Sequence, residues 1–388
     1  MCIRDSTQIN IVHLVIHNGR CCGALGFDER DELVYFRAKA VFLGTGGASA
    51  IYKYSLATPD QTGDGYIMAL DAGAELMNIE FIQFIPGLTW PVKKFLFQEK
   101  PLDTFPVIQN RDGEDVLAPY LPANVTREAC LLERAKHAPY STIGEGKYLD
   151  IAMYEQWRAG KAFDDGGFLI RYDPSILNDQ RHYIKSALQW LNMYGMDPVK
   201  DGIHIVPHAQ CFNGGVRINA KAETSIPGLY AGGESAGGPH GADRMGGNAL
   251  AGSQVFGGIA GVNAAQYVKN QVFEDIPEQE LIDSLMASFN AGTGKRGDIN
   301  ACIQEIREVM WMDAAIAREH DRCANALQRI NAVADTFDAS AHFEKMCIRD
   351  SLRSGHENDA CPLLSAGQHL FCTEIRRKNP RLFRHWRL

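Results

Sequence analysis

Short runs rich in apolar residues occupy Ile9–Ile16, Cys21–Phe27 and Glu32–Ala38, and turn residues such as Asn18-Gly19 stand between them. Such runs bounded by turns predict short β segments. A continuous apolar run, Ala40-Val41-Phe42-Leu43, then predicts a buried strand that enters Gly44-Thr45-Gly46-Gly47-Ala48. Glycines after such a strand serve either a tight turn or the close approach of backbone to a ligand. Thr62-Gly63-Asp64-Gly65 opens a predicted helix that runs to about Ala72, with Asp64 suited to cap it. From Glu75 to Asp201 the pattern is mixed, with irregular stretches at Pro101–Leu121 and Gly144–Phe168, and it reads as an inserted domain. Sheet character returns at Gly202–Pro207 and Gly214–Ile218, and Ile226–Ala231 leads into Gly232. Helical periodicity covers Ala249–Lys269 and Ile303–Ile330; in the second, Ile303, Ile306, Met310, Ala314 and Ala317 share one side.

A chain of 388 residues exceeds one core of ordinary size, so two or more domains are expected. Hydrophobic residues at 45% and charged residues at 22% describe a globular protein rather than a disordered one. No apolar run approaches the ~20 residues of a membrane helix, and the start MCIRDSTQIN lacks the apolar stretch of a secretory signal. A net charge of −8 argues against general nucleic-acid binding. The ten cysteines form no C-x-x-C pair and no metal-ligand spacing, which fits reduced thiols in a cytoplasmic protein and no metal site. Glycine stands out: eleven of the 37 fall between Gly232 and Gly261.

The hexapeptide MCIRDS occurs at Met1–Ser6 and again at Met346–Ser351. Two copies without a period are no repeat architecture, so both read as scars of sequence assembly and are set aside. On that reading the chain is a fragment whose first native residue lies inside a domain. The tail, Arg353–Arg387, carries seven Lys/Arg against three Asp/Glu and reads as a solvated or partner-facing segment.

Pro227-Gly228-Leu229-Tyr230-Ala231-Gly232-Gly233-Glu234, followed by His240-Gly241-Ala242-Asp243-Arg244-Met245-Gly246-Gly247-Asn248-Ala249-Leu250, resembles the flavoprotein subunits of the fumarate reductase and succinate dehydrogenase superfamily. L-aspartate oxidase and the α subunit of adenylylsulfate reductase belong to the same superfamily. The Gly-Thr-Gly-Gly turn, Thr62-Gly63-Asp64-Gly65 and Phe81-Ile82-Gln83-Phe84 with Pro86 fit in the same order, and the likeness covers roughly Ile9 to Phe343. It implies an α/β fold: an incomplete Rossmann-like FAD-binding domain in two parts (7–74 and 202–270), an inserted α+β capping domain (75–201) and a C-terminal helical domain (271–345). Residues 346–388 remain as scar and tail. It also implies FAD as cofactor, with Thr45, Gly46, Gly47 and Asp64 along it, and Ala249 and Leu250 at the flavin. The family's dinucleotide turn, G-x-G-x-x-G, has no counterpart before Gly44.

The residue types agree with that placement. A carboxylate at Glu234, expected at a strand end, can accept two hydrogen bonds from ribose-type hydroxyls. Arg244 offers a planar fork to a carboxylate or a flavin carbonyl. A helix beginning near Asn248 presents a partial positive charge that would stabilise an anionic reduced flavin.

The substrate side departs from the family. Ile85 and Gln210 stand where the resemblance puts histidines, and Asp150 stands where it puts a proton-relay arginine, with Arg158 or Arg134 as replacements. The standard fumarate or succinate site is therefore not expected, and Arg244 is its one retained member. His208, two residues before Gln210, is a candidate catalytic residue if the strand alternates; His204 and His240 read as structural, His240 being favoured by its place in the motif. The chain thus reads as the flavoprotein component of an FAD-dependent oxidoreductase that turns over a small molecule with an iron–sulfur electron-transfer partner. It has no membrane span of its own and is cytoplasmic or membrane-associated through that partner. The alternatives are an adenylylsulfate reductase α-like flavoprotein and a flavin electron-relay subunit without substrate chemistry.

Overall fold

The computed structural model describes residues 9–30, 32–136, 142–288 and 298–336, so the two hexapeptides and the basic tail lie outside the described residues. The predicted β segments form an antiparallel meander of β1 (Asn10–His17), β2 (Arg20–Phe27) and β3 (Leu33–Arg37). Asn18 and Gly19 at its first turn have φ of 50° and 74°, the left-handed pair that a two-residue hairpin needs.

The next strand, β4 (Val41–Leu43), pairs in parallel with β12 (Leu229–Ala231), Leu43 opposite Ala231. It was expected to be buried, but only Leu43 is, and Phe42 is 47% exposed. The first helix, α1 (Asp64–Asp71), starts where predicted, yet Gly63 at φ 89° is its cap residue and Asp64 lies in its first turn.

After the short β5 (Leu76–Met77) come β6 (Ile82–Trp90), β7 (Phe95–Leu96), β8 (Val107–Gln109), α2 (Arg127–Lys136), α3 (Lys147–Arg158), β9 (Phe168–Arg171), α4 (His182–Met193) and β10 (Ile203–Phe212). The stretch 144–168, expected to be irregular, therefore contains α3. The strands assemble in the order β7-β6-β10-β9-β8, every pair antiparallel. β10 was expected to stop at Pro207 and to return to the first domain. Instead it runs on to Phe212 within the sheet of the inserted region, because Pro207 faces Pro86 and the missing donors fall on a single rung.

β11 (Gly215–Arg217) pairs with β5 and with β13 (Ala236–Gly237), and β12 leads through a single helical turn, Gly233–Ser235, to β13. Glu234 thus sits on that turn rather than at a strand end. The chain continues into α5 (Asn248–Tyr267), α6 (Glu278–Ser288), α7 (Ile299–Ala314) and α8 (His320–Thr336). The periodicity over Ile303–Ile330 is split between α7 and α8, because the chain turns at Ala315, whose carbonyl accepts from Arg318 Nε at 3.0 Å. The helix α5 is apolar all round instead of on one face: only Ala260 is buried, while Leu250, Val255 and Val262 are 71%, 55% and 61% exposed. Among the described residues no helix is long and apolar enough to cross a membrane. The main core is centred on Trp311, Tyr52, Tyr66 and Tyr154, all fully buried.

Candidate cofactor site

Four segments far apart in sequence meet beside the β4–β12 pair. The Gly232 amide donates to the Leu43 carbonyl at 3.1 Å, continuing that parallel ladder into both glycine turns. Thr45 Oγ1 lies 3.2 Å from Ser235 Oγ, which also reaches the Gly46 carbonyl at 3.3 Å. The turns are tight enough to exclude any side chain at two positions. A β-carbon on Gly47 would stand 2.1 Å from Glu234 Oε1, and one on Gly65 would stand 1.9 Å from Thr45 Oγ1. Gly46, Gly233 and Gly247 have φ of 77°, 67° and 84°, where L side chains are strained.

Glu234 is held from two directions. Its Oε1 accepts from the Phe212 amide at 2.8 Å, and its own backbone carbonyl accepts from the Tyr66 hydroxyl at 2.6 Å. The neighbouring Cys211 thiol donates to the Phe212 carbonyl at 3.4 Å. Burial raises the Glu234 carboxyl above its ordinary value, opposed by the Phe212 amide, the Cys211 thiol and the Arg244 guanidinium. Burial likewise pushes the Cys211 thiol up to about 12, so it remains protonated and can donate. Asp64 accepts from Thr62 Oγ1 at 2.8 Å through one oxygen, and its other oxygen is buried without a partner. Burial raises its carboxyl too.

Arg244 is 4% exposed; its Nη1 donates to the Met245 carbonyl at 3.2 Å and its Nε has no partner. Gln83 on β6 fixes the same loop, donating from Nε2 to the Arg244 carbonyl at 2.9 Å and to Asp243 Oδ1 at 3.2 Å. After Gly247, α5 begins without a side-chain cap, so the first turn at Ala249 and Leu250 keeps its partial positive charge.

The structure therefore brings Thr45, Gly46, Gly47, Glu234 and Arg244 together, with Asp64 beside Gly65 and α5 opening after the Arg244 loop. His208 faces Ile85 across β10–β6, and its ring lies against Gly87 and 5.6 Å from Tyr54. Its Nδ1 is 2.8 Å from the Val206 carbonyl, and burial, the largest influence, drives its pKa down to about 4. Burial thus disfavours the imidazolium, and Nδ1 is directed at that carbonyl. The arginines considered for proton relay are committed as well. Arg134 is buried with Nε 2.7 Å from Asp150 and Nη1 3.4 Å from Glu99, and Arg158 pairs with Glu155 at 3.2 Å. His204 pairs with Asp165 at 3.0 Å. Burial lowers the His240 pKa, and the nearby Arg244 guanidinium lowers it further.

Sequence reasoning missed Cys211, Tyr66 and the Phe212 amide. The ladder shifts between Ala209 and Cys211, so Gln210 is an extra residue and a bulge places Gln210 and Cys211 together opposite Gln83. No residue type in the sequence announces that bulge. Among the described residues no group of His, Cys, Asp or Glu could hold a metal, and the six described cysteines are unbridged.

The sequence matches the family described as FAD binding domain over residues 3–250. It is 30% identical over 341 residues to an uncharacterised FAD-dependent oxidoreductase of Methanocaldococcus jannaschii, covering 87% of this chain and 59% of that protein. It is 31% identical over 348 residues to a fumarate reductase (CoM/CoB) subunit of Methanothermobacter marburgensis, covering 86% and 58%. Among solved structures, Sdh1 of Mycobacterium smegmatis in complex with UQ1 matches at TM-score 0.68 and 26% identity, covering 95% of this chain and 58% of that one. The chain thus spans 58–59% of the length of these proteins.

Proposed function

The chain belongs to the FAD-binding family of the fumarate reductase and succinate dehydrogenase flavoproteins, and from that premise we propose that it forms the flavin and substrate site of an FAD-dependent oxidoreductase. In this reading it is the flavoprotein subunit, and an iron–sulfur partner carries electrons to or from it. The observation that carries the reading is Glu234, which accepts from the Phe212 amide at 2.8 Å beside a glycine cradle in which Gly47 and Gly65 leave no room for a side chain.

The residues present fit the cofactor. Glu234 supplies a carboxylate for ribose-type hydroxyls, and Asp64 keeps a buried oxygen without a partner. Thr45, Gly46 and Gly47 bring backbone close, as a flat ring system and its linker require. The uncapped start of α5 at Ala249 and Leu250 places positive potential where reduced flavin carries negative charge. When bound, FAD supplies a two-electron hydride centre. The chain's own residues supply the rest: Arg244 would anchor an anionic group through a planar fork, and Gln83, donating to the Arg244 carbonyl at 2.9 Å, holds its loop. Ile85 on β6 and Gln210 on the β10 bulge, neither of them cationic, set the substrate apart from a fumarate or succinate site.

The test is the protein carrying this sequence, purified and assayed for flavin, with Arg244→Ala as the decisive variant. We expect a yellow protein whose Arg244→Ala form keeps FAD but is no longer reduced or reoxidised by substrate. A colourless protein that takes up no FAD would refute the reading. Retention of flavin without turnover of any small acceptor would favour an electron-relay subunit, the alternative motivated by Ile85 and Gln210.

A further inference from the structure

The strands that build the cofactor site carry a second recess at their other end. On β6, Gln83 meets the Arg244 loop, and Leu88 lies five residues on, roughly 16 Å along an extended strand. On β10, Phe212 meets Glu234, and Ile203 begins the strand at the far end. Between that end of the sheet and α4 lies a cavity of about 370 Å³, part of it open to solvent. Leu88, Phe97 and Ile203 form one wall, and Ile184, Ala187 and Leu191 form the other.

No charged side chain lines this cavity, and its polar side-chain groups belong to Gln98, Tyr172 and Trp190. Tyr172 is buried, yet its hydroxyl has no hydrogen-bond partner among the described residues. A buried hydroxyl ordinarily has one, and a phenol holding its proton can donate. Trp190 joins the cavity to the surface: it is half-buried, and its ring centroid is 4.8 Å from Phe95 and 5.2 Å from Tyr194. Leu96, Met193 and Tyr194 are exposed. An apolar rim on the surface beside an apolar recess is the setting of small-molecule sites.

We propose that this recess binds a neutral small molecule of mostly apolar surface with one hydrogen-bond acceptor, to which the Tyr172 hydroxyl donates. The site stands apart from the cofactor site and does not rest on the oxidoreductase reading. Its volume is at the lower end for ligand pockets, which limits the ligand to about one ring. Its walls offer no countercharge, so an ion would be buried unpaired at a cost that a neutral ring does not carry.

The test titrates the full chain with acetophenone, ethylbenzene and benzoate by calorimetry at about pH 7, where benzoate is ionised. Acetophenone should bind saturably, with a Kd of about 1 mM or below. Ala187→Leu fills the cavity from α4 and should remove that binding, and benzoate should show no binding that this substitution removes. Tyr172→Phe deletes only the unpartnered oxygen, so the fold is kept and its result stands even if Ala187→Leu destabilises the chain. It should weaken acetophenone by about three- to tenfold and leave ethylbenzene, the same ring without an acceptor, unchanged. No saturable acetophenone binding, binding that survives Ala187→Leu, or equal losses of both neutral probes in Tyr172→Phe would overturn the proposal. So would benzoate entering the same site as tightly as acetophenone.

Discussion

Replacing Gly47 by alanine adds one methyl group at the tightest point between the two glycine turns. Its β-carbon would lie 2.1 Å from Glu234 Oε1, 2.6 Å from Cδ and 3.0 Å from Cγ. Moving only the carboxyl tip does not suffice, since three successive atoms are involved. Glu234 must swing away, and it then loses the 2.8 Å bond from the Phe212 amide. A hydrogen bond to a carboxyl contributes about 1.5–3 kcal/mol, and the displaced group is also the one assigned to the cofactor. Gly47→Ala should therefore lower unfolding stability by about that amount and weaken FAD binding by about ten- to a hundredfold. Urea unfolding and flavin fluorescence titration read the two effects separately. Gly257→Ala is the control: it lies within α5 with open space around it and should gain about 0.5–1 kcal/mol from helix propensity. The two positions must also be coupled, so in a Glu234→Ala background the Gly47→Ala cost should largely vanish. A Gly47→Ala protein with unchanged stability and flavin affinity, or equal cost in both backgrounds, would refute this steric account.

Further outcomes follow from the buried ion triad of the inserted region. Burial raises the Glu99 carboxyl from 4.5 to about 7 even against the Arg134 guanidinium, so the folded protein holds a proton that the unfolded chain releases. Stability should fall as pH rises from about 4.5 through 7, and comparison of unfolding curves with Glu99→Gln, which lacks this proton, should isolate that slope. Arg134→Met leaves Asp150 and Glu99 buried without their cation, and chemical denaturation should show a loss of about 3–5 kcal/mol. Replacing all three by apolar residues of similar volume should recover most of it.

The glycine window, Glu234 and Arg244 stood out in the chain because a run of glycines beside single charged residues has few structural uses. The strands of the meander followed from apolar runs and the Asn18-Gly19 turn between them, and the start of α1 from Thr62-Gly63-Asp64-Gly65, although Gly63 and not Asp64 is its cap. Errors arose where local pattern met distant partners. Pro207 would have ended an isolated strand, but Pro86 sits opposite it. The helical periodicity over 303–330 is genuine, yet it belongs to two helices, because period alone carries no information about a turn at Ala315. His208 was weighed by its spacing from Gln210, and spacing does not report how deeply the ring is buried.

The sequence by itself determined the family and the FAD cofactor, since both follow from side-chain chemistry at short spacing around the glycine window. Only the tertiary structure decided how tightly Gly47 faces Glu234, that the Phe212 amide holds Glu234, and that Arg134 is spent on Asp150 and Glu99. Each of these is a contact between residues brought together by the packing of distant segments, among them the parallel pairing of β4 with β12 and the β10 bulge. Such pairings are set by whole sheets and helices, and no local run of residues encodes them.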